Sequence, residues 1–144
     1  MNITFEEIFA LHKKEACIRR FQKSYHGSVM PTPDDVYSEG SRFFSAHQET
    51  VDLGFIRISN KTNMGFASND VSLWCASDVY VRKEYRSQGV LKKLLHYVIN
   101  NCDVKLIFIK RSIFNSNREY YSSMNFNKII QFPNDSELIW IMRE

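Results

Sequence analysis

The sequence predicts a mixed α/β domain: a central, mostly antiparallel sheet containing one parallel strand pair, with helices on both faces. Three observations carry this reading. The apolar strand Val71 to Val81 is followed by an amphipathic helix and then by the continuous apolar run Leu106 to Ile109, a strand–helix–strand unit that closes as a right-handed parallel crossover. The segments before it read as a three-strand meander. The segments after it read as a helix and a hairpin, so the remaining pairings are antiparallel.

Taken in chain order, Thr4 and Glu7 form a capping box with Ile3 and Ile8 as a hydrophobic staple, which predicts a first helix from Thr4 to about Lys23. Thr32 as cap, Pro33 at the first position and Gly40 past the end predict a second, short helix. Arg42 to Ala46 and Val51 to Ser59 are strands, the second rich in strand formers and closed by the turn cluster Asn60-Lys61-Thr62-Asn63. Met64 to Ser68 is a weaker strand. Gly89 to Asn100 places Val90, Leu91, Leu94, Leu95, Val98 and Ile99 on one helical face. Leu106 to Ile109 is apolar throughout, as a strand covered on both faces requires. Ser116 and Glu119 form a second capping box for a helix to Met124. Phe126 to Phe132 and Glu137 to Met142 flank Pro133-Asn134-Asp135 and form the closing hairpin. The apolar last strand, Leu138 to Ile141, can pair across a homodimer.

At 144 residues, with 44% hydrophobic and 24% charged residues, the chain is expected to fold as a single domain, 1–144. A net charge of +3 favours an anionic ligand but is too small to argue for nucleic acid. Cys17, Cys75 and Cys102 are odd in number and widely spaced, which points to a reducing, cytoplasmic setting rather than a disulfide or zinc framework. No apolar run reaches bilayer length, so no membrane association is expected. The four histidines lack ligand spacing, and no metal is expected.

The stretch from Asp78 to Leu95 carries the chemistry. A strand runs into a Gly-containing turn, Arg86-Ser87-Gln88-Gly89, and then into a helix opening at Val90. The first N–H groups of a helix lack intrahelical acceptors and sit at its positive end, so the arrangement suits an anion.

Arg86-Ser87-Gln88-Gly89-Val90-Leu91 resembles the coenzyme A signature of the GNAT superfamily of acetyl-CoA-dependent N-acetyltransferases: Arg or Gln, two residues, Gly, one residue, then Gly or Ala. Asp78-Val79-Tyr80-Val81 and Glu84-Tyr85-Arg86 look like that family's fourth-strand phrase and following turn. Tyr121-Ser122-Ser123-Met124-Asn125-Phe126 resembles its Tyr-x-x-x-Gly-Phe. The likeness covers Val71 to Phe132 and extends back toward Val51. It departs at Leu91, where the family has a small residue, and at Asn125, where it has glycine.

The resemblance implies a GNAT-like fold whose parallel pair splays at the cofactor site, with acetyl-CoA as co-substrate. Backbone groups of Ser87, Gln88, Gly89, Val90 and Leu91 would hold the pyrophosphate. Arg86 would add charge or tie the turn to the sheet. Val79, Tyr80 and Val81 would line the pantetheine arm, or serve as core. Asn115 or Asn117 would hydrogen-bond that arm.

Tyr121 would be the general acid, a phenol being suited to protonating a thiolate, with Tyr120 as its competitor. Asp78 would bind a cationic acceptor, relay its proton, or cap a loop. Phe43, Phe44, Phe55 and Trp74 would shape an acceptor pocket or fill the core. The expected function is direct transfer of an acetyl group to a primary amine of a small molecule or a protein. Leu91 and Asn125 leave open a silent acyl-CoA-binding module of the same fold, and the basic balance leaves open, more remotely, a nucleic-acid-binding or nucleobase-modifying protein.

Overall fold

The computed structural model describes residues 2–22, 40–60, 74–104, 107–110, 115, 118–123, 126–131 and 138–142. The elements are β1 (Thr4–Ile8), α1 (Leu11–Gln22), β2 (Ser41–Gln48), β3 (Val51–Asn60), β4 (Trp74–Val81), a 3-10 turn (Lys83–Tyr85), α2 (Val90–Asn101), β5 (Ile107–Lys110), α3 (Arg118–Ser123), β6 (Phe126–Gln131) and β7 (Leu138–Met142). They form one 7-stranded sheet in the order β1-β2-β3-β4-β5-β7-β6. β4 and β5 are parallel; every other adjacent pair is antiparallel.

Alternation along the strands divides the core in two. Phe44, Ile56 and Val81 join Val90, Leu94, Leu95 and Val98 of α2. Their neighbours Phe43, Phe55 and Tyr80 turn the other way and join Ile8 with Cys17 and Ile18 of α1. Adjacent residues thus serve opposite layers, as a strand period of two dictates. Phe43 and Phe55 stack across β2 and β3 with centroids 5.1 Å apart.

The expected first helix is corrected. Thr4–Ile8 is an edge strand paired with β2, and the helix begins only at Leu11. The capping box is locally sound, but the same residues fit a strand better once a sheet edge is available. Phe5 stacks on Tyr97 of α2 at 5.5 Å. Glu7 accepts two hydrogen bonds from Arg42, at 2.6 Å and 2.9 Å, so its carboxylate locks β1 to β2 instead of capping a helix. Arg42 also lies over the Phe44 and Trp74 rings.

The expectation of a C-terminal strand free to pair across a dimer is corrected too. β7 lies between β5 and β6 and is hydrogen-bonded on both sides. The edges of the sheet are β1 and β6. The expected helix at 32–40 and strand at 64–68 fall outside the described residues, save Gly40.

Two irregularities shape the middle of the sheet. Between β2 and β3 the register shifts, so that Ala46 faces Gly54 and His47 faces Asp52. Between β3 and β4 it shifts again: Arg57 faces Asp78 and Ile58 faces Ala76, which makes Ser77 an extra residue on β4, a bulge. Gly54 is required by close approach. A Cβ there would stand 2.6 Å from the Tyr80 carbonyl oxygen, and that oxygen belongs to backbone that cannot swing away. Gly54→Ala is therefore expected to destabilise the fold by about 1–3 kcal/mol through overpacking, measured as a lower midpoint in urea unfolding with an unchanged slope.

Candidate active site

The site grows from the way β4 changes its pairing. β4 is in register with β3 from Trp74 to Val81, but with β5 only at Trp74↔Ile107 and Cys75↔Phe108. Among the described residues the parallel ladder stops beyond Cys75, and the strand continues to Val81 alongside β3. Tyr80 and Val81 are 4% and 8% exposed, and Val79 packs on the α2-side core. Their side chains serve the core, as one of the two sequence readings held.

The chain then turns through Lys83–Tyr85 into α2. Arg86 is extended, Ser87 takes a φ of 68° and Gly89 a φ of 75°, the latter as N-cap of α2 with no side-chain cap. Ser87 and Gly89 are left-handed and Gln88 between them is not; such alternation of hand turns successive N–H groups toward one side, a nest for anions. Gly89 meets nothing within 4 Å of where a Cβ would stand, so it is the positive φ and not crowding that favours glycine there. Val81, Arg86, Ser87, Gly89, Val90 and Leu91 line a cleft there of about 170 Å³, with Ser123 of α3 on its far wall.

The side chains around this turn are committed to holding it. Arg86 Nε donates to the Val81 carbonyl at 3.0 Å, and its guanidinium lies 6.0 Å from the centre of the Tyr80 ring. Of the two roles considered for Arg86, the tie to the sheet is present. Gln88 Nε2 donates to the Glu84 carbonyl at 3.2 Å. Leu91 is 2% exposed and belongs to the α2-side core, so the bulk that departs from the family signature is absorbed by packing.

Tyr121 is half-buried on α3 and packs edge-on against Phe126 with centroids 6.0 Å apart. It lies two residues before Ser123 of the cleft wall. Asn115 is exposed, and its Oδ1 accepts from Arg118 Nε at 3.0 Å. Asn117 and Asn125 lie outside the described residues, as does the side chain of Tyr120. Phe43, Phe44 and Phe55 are almost wholly buried in the two cores, so they fill the sheet layers.

Asp78 has a partner that sequence reasoning missed. Arg57 Nε donates to Asp78 Oδ2, and the two side chains are only 9% and 16% exposed. Arg57 Nη1 also donates to the Ser41 and Ser59 hydroxyls, both at 2.9 Å, and Ser59 Oγ is 2.8 Å from Ser77 Oγ. The network spans β2, β3 and the β4 bulge. Its signal in the sequence was Arg57 itself, a charge inside the apolar run Leu53 to Ile58, which must find a carboxylate on a neighbouring strand if it is buried. Among the described residues no three His, Cys, Asp or Glu side chains gather as a metal site would need, and no helix is long and apolar enough to cross a membrane.

Comparison with known proteins agrees with this geometry. The acetyltransferase (GNAT) domain matches residues 39–128. None of the curated proteins compared matches the chain. Among solved structures, the chain resembles an acetyltransferase of the GNAT family from Staphylococcus aureus Mu50 at 21% identity, covering 98% of each chain with a TM-score of 0.60. It resembles an aminoglycoside acetyltransferase from an uncultured soil metagenomic sample, in complex with sisomicin, at 16% identity over 92% of this chain and 95% of that one, TM-score 0.63. It also resembles glucosamine-6-phosphate N-acetyltransferase from Arabidopsis thaliana at 16% identity over 94% and 99%, TM-score 0.59. At these identities the structures speak for the fold, and the domain match, covering well over half of the chain, speaks for the family: this chain belongs to the GNAT acetyltransferases.

Proposed function

We propose that this chain is an N-acetyltransferase that passes an acetyl group from acetyl-CoA directly to a primary amine within a ternary complex. The observation that carries the reading is the left-handed turn at Gly89, set at the N-terminus of α2 and after a strand whose parallel ladder, among the described residues, ends at Cys75. The fit is one of donor chemistry: Ser87, Gly89, Val90 and Leu91 line the cleft, and the first N–H groups of a helix, which lack intrahelical acceptors, are the donors a diphosphate would take up. Acetyl-CoA would supply the activated acyl carbonyl and a thiolate leaving group.

The residues divide the remaining work. The amine nitrogen must lose a proton as its bond to the acyl carbon forms, and the departing sulfur must gain one as the carbon–sulfur bond breaks. We assign the second proton to Tyr121, on the helix whose end forms the cleft wall. Direct transfer suits the cysteines. Cys17 and Cys75 are buried at 0% and 5% exposure, and burial raises the Cys102 thiol above its ordinary range, so none is placed as a ready nucleophile.

For Asp78, the pairing with Arg57 supports a positioning role. A proton taken by this carboxylate would sacrifice a largely buried ion pair. The pair instead pins the bulge that sets where Tyr80 and Val81 present their backbone. The acceptor is proposed to be a small amine. The aminoglycoside and amino-sugar enzymes of the same fold make that class natural, and a protein amine is the alternative. The chain is proposed to act in the cytoplasm.

Tyr121→Phe is expected to lower kcat about 10²-fold with little change in acetyl-CoA affinity, read by thiol release over an amine panel and by calorimetry. Unchanged turnover would remove Tyr121 from the proton path. Gly89→Val should weaken acetyl-CoA binding by at least about tenfold, since a β-branched residue at positive φ distorts the turn; an unaltered dissociation constant would place the diphosphate elsewhere. Arg57→Leu takes the paired cation from the largely buried Asp78 and should cost about 3–5 kcal/mol of stability, whereas Arg57→Leu combined with Asp78→Leu should recover most of it in urea unfolding. A double variant as unstable as the single would show that the pair is not the unit that matters.

A further inference from the structure

Most side chains around the Gly89 cleft are already committed. Arg86 is tied to the Val81 carbonyl and lies against the Tyr80 ring. Val90 and Leu91 are buried in the core. Tyr85 packs against the same core, and Ser123 has a contact of its own. Ser87 and Lys92 remain. Both line the cleft and both are exposed. Neither has a hydrogen-bond or ion-pair partner among the described residues.

Neither residue suits the fold where it stands. Ser87 holds a φ of 68°, a region that disfavours every side chain and that glycine adopts freely. Lys92 stands in the first turn of α2, which contains Lys92 and Lys93 and no acid, so its charge sits at the positive end of the helix dipole. Glycine at the first position and an acid at the second would serve stability better. Residues kept at a cost to stability gather where a ligand repays them.

Their placement says what they can contribute. The first backbone hydrogen bond of α2 runs from the Lys93 N–H to the Gly89 carbonyl at 3.0 Å, so the N–H groups of Val90, Leu91 and Lys92 have no intrahelical acceptor. A long side chain leaves a helix inclined toward its N-terminus, which carries the Lys92 ammonium back toward these donors. Ser87 precedes them in the turn and supplies a hydroxyl. A diphosphate carries enough oxygens to engage both side chains and the amides at once.

We propose that the Ser87 hydroxyl and the Lys92 ammonium select the diphosphate of the cofactor, the hydroxyl donating to a phosphate oxygen and the ammonium balancing its charge. The inference rests on reading this cleft as the acetyl-CoA site, and it adds side-chain recognition to the role that reading gives the backbone.

The test is calorimetry with coenzyme A and with 3′-dephospho-coenzyme A, beside urea unfolding, on the full chain and its variants. Ser87→Gly relieves the strained φ, an effect partly offset by a freer unfolded chain. Its unfolding midpoint should be no lower than that of the unsubstituted protein, while its affinity for coenzyme A falls about tenfold, the scale of one hydrogen bond to a charged acceptor. Ser87→Ala keeps the backbone restricted and should lose as much affinity, which separates the hydroxyl from flexibility. Lys92→Gln should also keep its midpoint, weaken binding several-fold and flatten the fall of affinity with added salt; Lys92→Arg should restore most of both. The same losses are expected with the dephospho compound, which retains the diphosphate. Losses seen only with coenzyme A would assign the two residues to the 3′-phosphate and overturn the proposal. Gly89→Val distinguishes the proposal from the reading beneath it. If Gly89→Val abolishes binding while the Ser87 and Lys92 variants bind like the unsubstituted protein, the cleft stands and the role of the two side chains falls. If Gly89→Val leaves binding intact, the cleft is not the cofactor site and both fall together.

Discussion

The structure depends on β4 having two different neighbours along its length. At Trp74 and Cys75 it is held between β3 and β5; from there to Val81 its register is with β3. A strand in the middle of a sheet normally has both edges filled, because unpaired backbone groups are costly in an interior. Among the described residues the parallel ladder ends at Cys75, short of the cleft that Val81 lines. The α2 helix approaches that same point with its N-terminus. The crossover requires this: a right-handed strand–helix–strand unit starts its helix at the end of its first strand.

Neighbouring interactions support the end of β4. Arg86 takes up the Val81 carbonyl, Arg82 reaches the Asp52 carbonyl across β3, and Gly54 lets β3 lie against Tyr80 closely enough for the two strands to stay in register. One layer lower, the Arg57–Asp78 pair and its serines fix the bulge. Buried ion pairs are weak contributors to stability compared with apolar packing, yet they specify one arrangement when every donor is satisfied. The network fits that use, since it joins three strands at the point where the register shifts.

Much of this was legible in the sequence, and the failures have physical reasons. The helix expected over Gly89 to Asn100 is observed as Val90–Asn101, because its apolar periodicity and its burial agree. The hairpin of β6 and β7 was legible from its turn residues. The insertion of β7 between β5 and β6 was not, since strand order is decided by pairing energies that local pattern does not record. Thr4–Ile8 misled because a capping box is a local motif, and a sheet edge overrides local preference. Arg57 was passed over in favour of its apolar neighbours, although a lone charge in such a run asks for a partner.

The turn at Ser87 and Gly89 carries a local conformational cost. A serine at φ 68° is strained by about 1–2 kcal/mol relative to the right-handed alternative, and glycine would remove that cost. The strain is tolerated because the flanking contacts, Arg86 on Val81 and Gln88 on Glu84, fix the backbone on both sides of it. On the proposed reading, N–H groups fixed in this way would need no rearrangement to meet an anion, and binding would avoid the ordering entropy that a flexible loop would lose. A cleft used as proposed would gain its affinity from geometry set during folding, through residues (Gly54, Arg57, Arg86 and Leu91) that mostly would not touch the ligand's reacting atoms.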